Sequence, residues 1–514
     1  MQRLESRHPT TILLLIASLP GPLFLIWIAS RYQLSLSSDS VSYISAADSL
    51  REGRGLISFN GLPYVSWPPM LPWVLALLSF IGIPVIKAGA VINATSWFGA
   101  ALISGVWLWD LLGNRILACA IAFWISISAA ILSVALYLWS EALFSFFLIF
   151  SLWGLHRYLS AYGRQSLLIA GLFCGLAALT RYVGAVLFGV EILVLSLFVS
   201  TQRRFWFLIG FATIAAAPLS AWILRNLIVA GSATGMRVAG NQTLKTTFYA
   251  TVSEVGSWFI AWPFADYNAL AGIGILICLA AGVAISLRSI LRKEHSPLHI
   301  STLLVGTFSI VYLGAIILVV VMSNSCCVGG RYEAPAFITV VLGVTFSVIL
   351  LTEVTTRLLS SGQLMLKTVA ALLVLLGTSA SLSRSISHAR MFLYHGPDGY
   401  SQARFLEPDW IEYTKTLSPD VVIFSNAPAA VYLALGLRTS FTPWRHAYAS
   451  LVTFDELPAF ARVVATTPRV FIVWFKEYMP DYLFDLKALQ TVTSLKLVAD
   501  FPHVSIYEVS TKPI

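Results

Sequence analysis

Residues 35–75 read SLSSDSVSYISAADSLREGRGLISFNGLPYVSWPPMLPWVL. The run follows an apolar stretch at 11–30, long enough to cross a bilayer. It carries Asp39, Asp48 and Glu52, then closes on Trp67-Pro68-Pro69 before apolar sequence resumes. A polar, acidic, aromatic loop (31–68) between greasy segments lies at a membrane surface. Loops placed there carry chemistry that the spans merely position.

The rest of the 514-residue chain agrees. It is 58% hydrophobic and only 11% charged, with a mean hydropathy of +0.80. Soluble domains carry roughly 25% charged residues. Scarce charge and repeated apolar runs identify a polytopic α-helical membrane protein. The net charge of +9 is spread over short loops. It therefore reads as basic cytoplasmic loops and contact with membrane lipid, and no nucleic-acid partner is expected. Cys119, Cys174 and Cys278 lie in apolar runs and read as small hydrophobes. The vicinal pair Cys326-Cys327 sits in a loop and reads either as inert or as redox-active. No metal-ligand spacing is present, so neither metal nor cofactor is expected.

Apolar runs fall at 11–30, 86–110, 115–137, 141–160, 166–180, 182–200, 205–229, 268–288, 299–322, 333–352 and 366–383, giving eleven expected spans. Residues 69–82 are shorter and proline-rich, and read as a helix at the interface. With the N-terminus in the cytoplasm, nearly every inside loop is basic, and the Asp39 loop falls outside together with everything after Ser385. From 386 the pattern changes. VVIFSN (421–426), a helix at 427–435, FIVWF (471–475), LKLVAD and VSIYEV alternate strand and helix signals. The expected organisation is a membrane module, 1–385, and an extracytoplasmic α/β domain, 386–514.

Several polar residues at the outer ends of spans read in two ways. Asp39 is a helix N-cap or a general base. Arg181 snorkels to headgroups or binds phosphate. Arg331, after Gly329-Gly330, approaches a ligand or serves a turn. Glu141 is a first-turn carboxylate or a site residue. Arg225 and Asn226 end a helix or face a ligand; Trp67 anchors the interface or stacks on a sugar. Tyr43 packs or acts.

The order Asp39, Tyr43, Ala46-Ala47, Glu52-Gly53-Arg54-Gly55 and Trp67-Pro68-Pro69-Met70-Leu71-Pro72 resembles the start of GT-C glycosyltransferases. These enzymes take a sugar from a polyprenyl-phosphate carrier. The resemblance is to the bacterial branch related to protein O-mannosyltransferases and lipid A aminoarabinose transferases. Ser140-Glu141, Leu179-Thr180-Arg181, Pro218 with Arg225-Asn226, and Gly330-Arg331-Tyr332-Glu333-Ala334-Pro335 resemble further segments of that family, in order, over about residues 10–385. The chain departs from the mannosyltransferases in having Asp39-Ser40 in place of Asp-Glu. That bears on acceptor and metal dependence more than on fold.

The resemblance implies a multi-pass enzyme of the cell membrane with its active site on the extracytoplasmic face. It implies a polyprenyl-phosphate sugar donor, a glycan, lipid or protein acceptor, and an inverting transfer. Asp39 is then the expected base. Arg181, Arg331, Tyr332 and Arg225 are expected on the donor phosphate, and Tyr43, Arg54, Trp67, Glu141 and Asn226 around the substrates. Two rivals remain in the sequence: a transporter of lipid-linked sugars, which needs polar groups near mid-membrane, and a non-catalytic envelope assembly protein.

Overall fold

The computed structural model describes residues 7–512 except 161–162, 200, 261, 326–328, 359–361 and 419. Helices α1 (Arg7–Ser18) and α2 (Pro20–Arg31) form one apolar run bent by 41°. Pro20 opens α2, and Gly21 lies against the Ser126 carbonyl so closely that a Cβ would collide with it. The single span expected at 11–30 is thus a broken pair. Next come α3 (Ser38–Arg51), α4 (Met70–Phe80), α5 (Val85–Leu112), α6 (Arg115–Ser126), α7 (Ala129–Ala135), α8 (Glu141–Leu159), α9 (Arg164–Thr180) and α10 (Gly184–Ser196). They are followed by α11 (Gln202–Ala230), α12 (Leu244–Ser257), α13 (Ala265–Leu291), α14 (Pro297–Met322), α15 (Ala334–Leu358) and α16 (Gly362–His395).

Counting α6 and α7 together as one, seven helices among the described residues are long and apolar enough to cross a membrane, or eight with the bent pair. The 28 residues of α5 rise about 42 Å at 1.5 Å each, against roughly 30 Å of hydrocarbon. The 11 residues of α4 rise about 16 Å and fall short, as 69–82 predicts. The run expected at 115–137 breaks at Ile127-Ser128, where Ser128 caps α7 by accepting the Ile131 N–H. The segment between the apolar runs at 205–229 and 268–288 contains α12. Residue 386 lies inside α16, which runs on to His395.

Beyond α16 the chain adds helices α17 (Pro408–Lys415), α18 (Pro428–Leu435), α19 (Leu457–Thr466) and α20 (Leu486–Val492). The strands are β1 (Val422–Ser425), β2 (Ser440–Phe441), β3 (Val470–Phe475), β4 (Thr493–Asp500) and β5 (Val504–Thr511), in the order β2-β1-β3-β5-β4. β1 pairs parallel with β2 and β3, and β5 pairs antiparallel with β3 and β4. Every residue of β3, VFIVWF, is buried, as a central strand covered on both faces requires. The strand and helix signals read from the sequence all appear.

Candidate active site

Asp39 stands in the first turn of α3. It does not cap the helix. Ser37 is the N-cap, accepting the Ser40 N–H, while Ser40 Oγ accepts the Ser37 N–H to close a capping box. The carboxylate of Asp39 is therefore released from local backbone duty.

The approach to α3 is fixed by three short extended segments. Ser35 bridges Tyr137, and Leu36 bridges Gly399. Ser35 N–H donates to Leu136 O at 2.9 Å and Tyr400 N–H to Leu36 O at 2.8 Å. Gly399, at φ +66°, lies where a Cβ would strike the Leu36 carbonyl. Asn93, inside α5, donates to the carbonyls of Ala135 (3.0 Å) and Tyr137 (2.8 Å), pinning the middle segment from below.

Four of the expected residues meet in one ionic chain. Arg331 Nη1 lies 2.6 Å from Asp39 Oδ2, and Arg331 Nε lies 2.8 Å from Glu141 Oε1. Arg181 Nη1 reaches the same Glu141 oxygen at 2.5 Å and Ser140 Oγ at 3.2 Å. The formal charges cancel: two carboxylates face two guanidiniums. Exposure divides them. The side chains of Asp39 and Arg331 are 22% and 20% exposed, whereas Glu141 is fully buried and Arg181 is 8% exposed. Glu141 therefore touches the arginines rather than solvent. Its role is to hold two cations in place. Two buried positive charges would repel without it.

Tyrosines surround the chain. Tyr43 is buried, with its hydroxyl 3.5 Å from Ser140 Oγ. Burial, with Asp39 and Glu141 beside it, pushes its phenol above the ordinary range, so it stays protonated and can donate. The Tyr332 ring lies 5.8 Å from the Arg331 guanidinium and 6.0 Å from that of Arg181. Its backbone carbonyl accepts the Tyr312 hydroxyl at 2.9 Å. The next residue, Glu333, is buried and accepts the Gly329 N–H and the Thr251 hydroxyl, each at 3.2 Å. Burial pushes its carboxyl up to about 7.

The other expected residues stand elsewhere. Arg225 donates to the Tyr64 carbonyl at 2.8 Å and to Asn226 Oδ1 at 3.0 Å. Asn226 Nδ2 donates to Ala233 O at 2.9 Å and to the Tyr182 hydroxyl at 3.2 Å. Arg225 staples the 56–65 segment to the end of α11, and Asn226 ties that end to Ala233 and Tyr182. Trp67 lies under Arg237, 5.6 Å from guanidinium to ring centroid. Arg54 pairs with Glu52 at the far end of α3. Cys326-Cys327 lies outside the described residues.

Sequence reasoning missed the group that organises the centre. The Trp139 ring lies 3.8 Å beneath the Arg331 guanidinium, stacks on Tyr137 at 4.0 Å, and donates from Nε1 to Ser37 Oγ at 2.7 Å. Tyr137 in turn donates to Asp398 at 2.9 Å. Trp139 thus joins the cap of α3 to Arg331. Its signal was its place directly before Ser140-Glu141. In the sheet domain, burial raises the Tyr448 phenol, with Tyr332 and Asp39 adding to the shift. Nothing local in the sequence marks Tyr448. Among the described residues no three of His, Cys, Asp or Glu gather as metal ligands.

No family model matches the chain, and no curated protein matches it significantly. Solved structures do. ArnT from Cupriavidus metallidurans in the apo state is 14% identical over 95% of this chain and 96% of its own, with a TM-score of 0.55. The same protein bound to undecaprenyl phosphate is 14% identical over 94% and 96%, with a TM-score of 0.52. This chain therefore shares the fold of ArnT over nearly the full length of both.

Proposed function

We propose that this polytopic membrane protein is a glycosyltransferase that moves a sugar from a polyprenyl-phosphate donor to an extracytoplasmic glycan, lipid or protein acceptor. The observation that carries the reading is the Asp39–Arg331–Glu141–Arg181 chain. It offers one accessible carboxylate beside one accessible guanidinium, both braced by a buried pair, in a fold shared with ArnT. The ArnT structure with undecaprenyl phosphate supports a lipid-phosphate donor.

In the proposed step, Asp39 takes the proton from an acceptor hydroxyl. The acceptor oxygen attacks the anomeric carbon from the face opposite the phosphate. The carbon–oxygen bond to phosphate breaks, and the leaving polyprenyl phosphate keeps the electron pair. Arg331 meets the developing charge with its planar fork, and Arg181 adds a second positive charge from behind. Direct displacement inverts the anomeric centre and needs one base, where glycoside hydrolysis usually needs two carboxylates. Tyr332 lies against both cations; Tyr43 donates from beneath.

The test is transfer of labelled sugar from synthetic polyprenyl-phosphate donors by purified wild type and Asp39→Asn. Loss of about 10²-fold or more in the variant, with insertion intact, is the expected result. Near-normal transfer by Asp39→Asn overturns the base assignment. Absence of transfer with every donor overturns the enzyme.

A further inference from the structure

A cavity lies against the C-terminal half of α3. Asp39 and Asp48 are nine residues apart on this helix. At 100° and 1.5 Å per residue they stand on opposite faces, about 13 Å apart along the axis. Asp48 lines a cavity of about 720 Å³ enclosed by the ends of α2 and α5, the C-terminal half of α3, and α18 of the sheet domain. Asp39, Glu141, Arg181 and Arg331 do not line it.

Its walls divide by chemistry. Ile26, Ala29, Val85, Ile86, Ala90 and Val91 form an apolar floor on two membrane-crossing segments. Asp48, Glu52, Arg54 and Lys87 stand at the mouth. Tyr432 of α18 roofs it and donates to Asp48 at 3.1 Å. The charges do not balance. Asp48 has Arg51 at 3.7 Å, and Glu52 is paired with Arg54. That leaves Lys87, which makes no ion pair among the described residues. It also leaves Arg438, whose guanidinium lies 6.0 Å from the Tyr432 ring and whose charge reaches Asp48. Arg438 Nε and Nη2 are buried and have no hydrogen-bond partner among the described residues. The buried, unpartnered guanidinium nitrogens of Arg438 behind the roof and the exposed ammonium of Lys87 at the mouth offer an anion two cations. The floor calls for a hydrocarbon tail, and the volume falls within the ordinary range for ligand sites.

We propose that this cavity binds a lipid with a phosphate headgroup, drawn from the leaflet on the sheet-domain side, at a site separate from the Asp39–Arg331 centre. The headgroup sits between Lys87 and the Arg438 side, and its tail runs over Val85–Val91. The bound lipid then bridges membrane module and sheet domain through Tyr432. This inference does not depend on the transfer reaction. Two lipids offer the same chemistry, a phospholipid diester and a polyprenyl phosphate.

The test uses the full chain in detergent, offered phosphatidylglycerol, a polyprenyl phosphate, diacylglycerol or inorganic phosphate, with bound species counted by native mass spectrometry. Lys87→Glu alters the mouth, and Val91→Trp fills the floor at a half-buried position. Wild type and Asp39→Asn should retain phosphatidylglycerol, or polyprenyl phosphate in a copy beyond any held at the Asp39–Arg331 centre, and each of the other two variants should bind that lipid or extra copy about tenfold less. Which lipid is retained names the source. The proposal fails if neither lipid is retained, or if Lys87→Glu and Val91→Trp bind as wild type. Equal retention of diacylglycerol, displacement by inorganic phosphate, or loss of retention in Asp39→Asn overturns it as well.

Discussion

Arg331 holds Asp39 at 2.6 Å, so the cation that would meet a donor phosphate also occupies the proposed base. In the proposed reaction a donor phosphate would compete for Arg331 and so release the carboxylate, which would be free to act only with a donor bound.

Arg331→Lys should lower transfer by about 10²-fold despite keeping the charge, because one ammonium cannot span Asp39 and Glu141 while stacking on Trp139. Steady-state rates at saturating donor check this. Activity within about threefold of wild type would show that charge alone suffices.

Glu141→Gln should destabilise the protein by about 3–5 kcal/mol, since it leaves two closely placed guanidiniums without their shared counter-charge. Thermal unfolding in detergent measures it. Adding Arg181→Met to the variant should recover part of the loss. No recovery would mean that the pair does not act as a unit.

Trp139→Leu should cost about 1–2 kcal/mol through the lost cation–π contact and the freed Ser37 cap, and should also lower the turnover rate. A stability loss with unchanged turnover would confine Trp139 to packing.

Glu333 sets a pH dependence. Its carboxyl is raised by burial to about 7 in the folded protein, above the ordinary value of 4.5. The folded state therefore binds this proton more tightly than the unfolded state does. The associated stability is fully present below about 4.5, falls as pH rises towards 7, and is gone above it. Unfolding temperature should decline across that window and then level off. Glu333→Gln should flatten the decline, and an unchanged slope would place its origin in another group.

Much of this was legible in the sequence, for physical reasons. Apolar runs have one way to satisfy their backbone in a bilayer, so the helices appear where hydropathy puts them. The buried strand FIVWF announces itself by composition. Breaks inside runs were hidden, because Ser126 donates to the carbonyls of Ala17 and Phe123 while Ser128 accepts the Ile131 N–H. The ion chain was half visible. Its charged members are costly near a membrane and therefore conspicuous, but that Glu141 is buried against two arginines follows only from the fold. Arg225 and Asn226 are just as polar yet serve a loop, and nothing local distinguishes the two uses. Trp139 looks like any interfacial aromatic until the fold brings it under Arg331.

The meeting of residues 34–36, 136–138 and 398–400 has a consequence for how such a protein diversifies. The strand that enters the sheet domain is also a structural neighbour of the strand that launches α3. Grafting a foreign domain at this junction would disturb the proposed reaction centre itself. New acceptor preferences are therefore expected to arise by drift in loops such as the one bearing Tyr448, with the junction inherited intact.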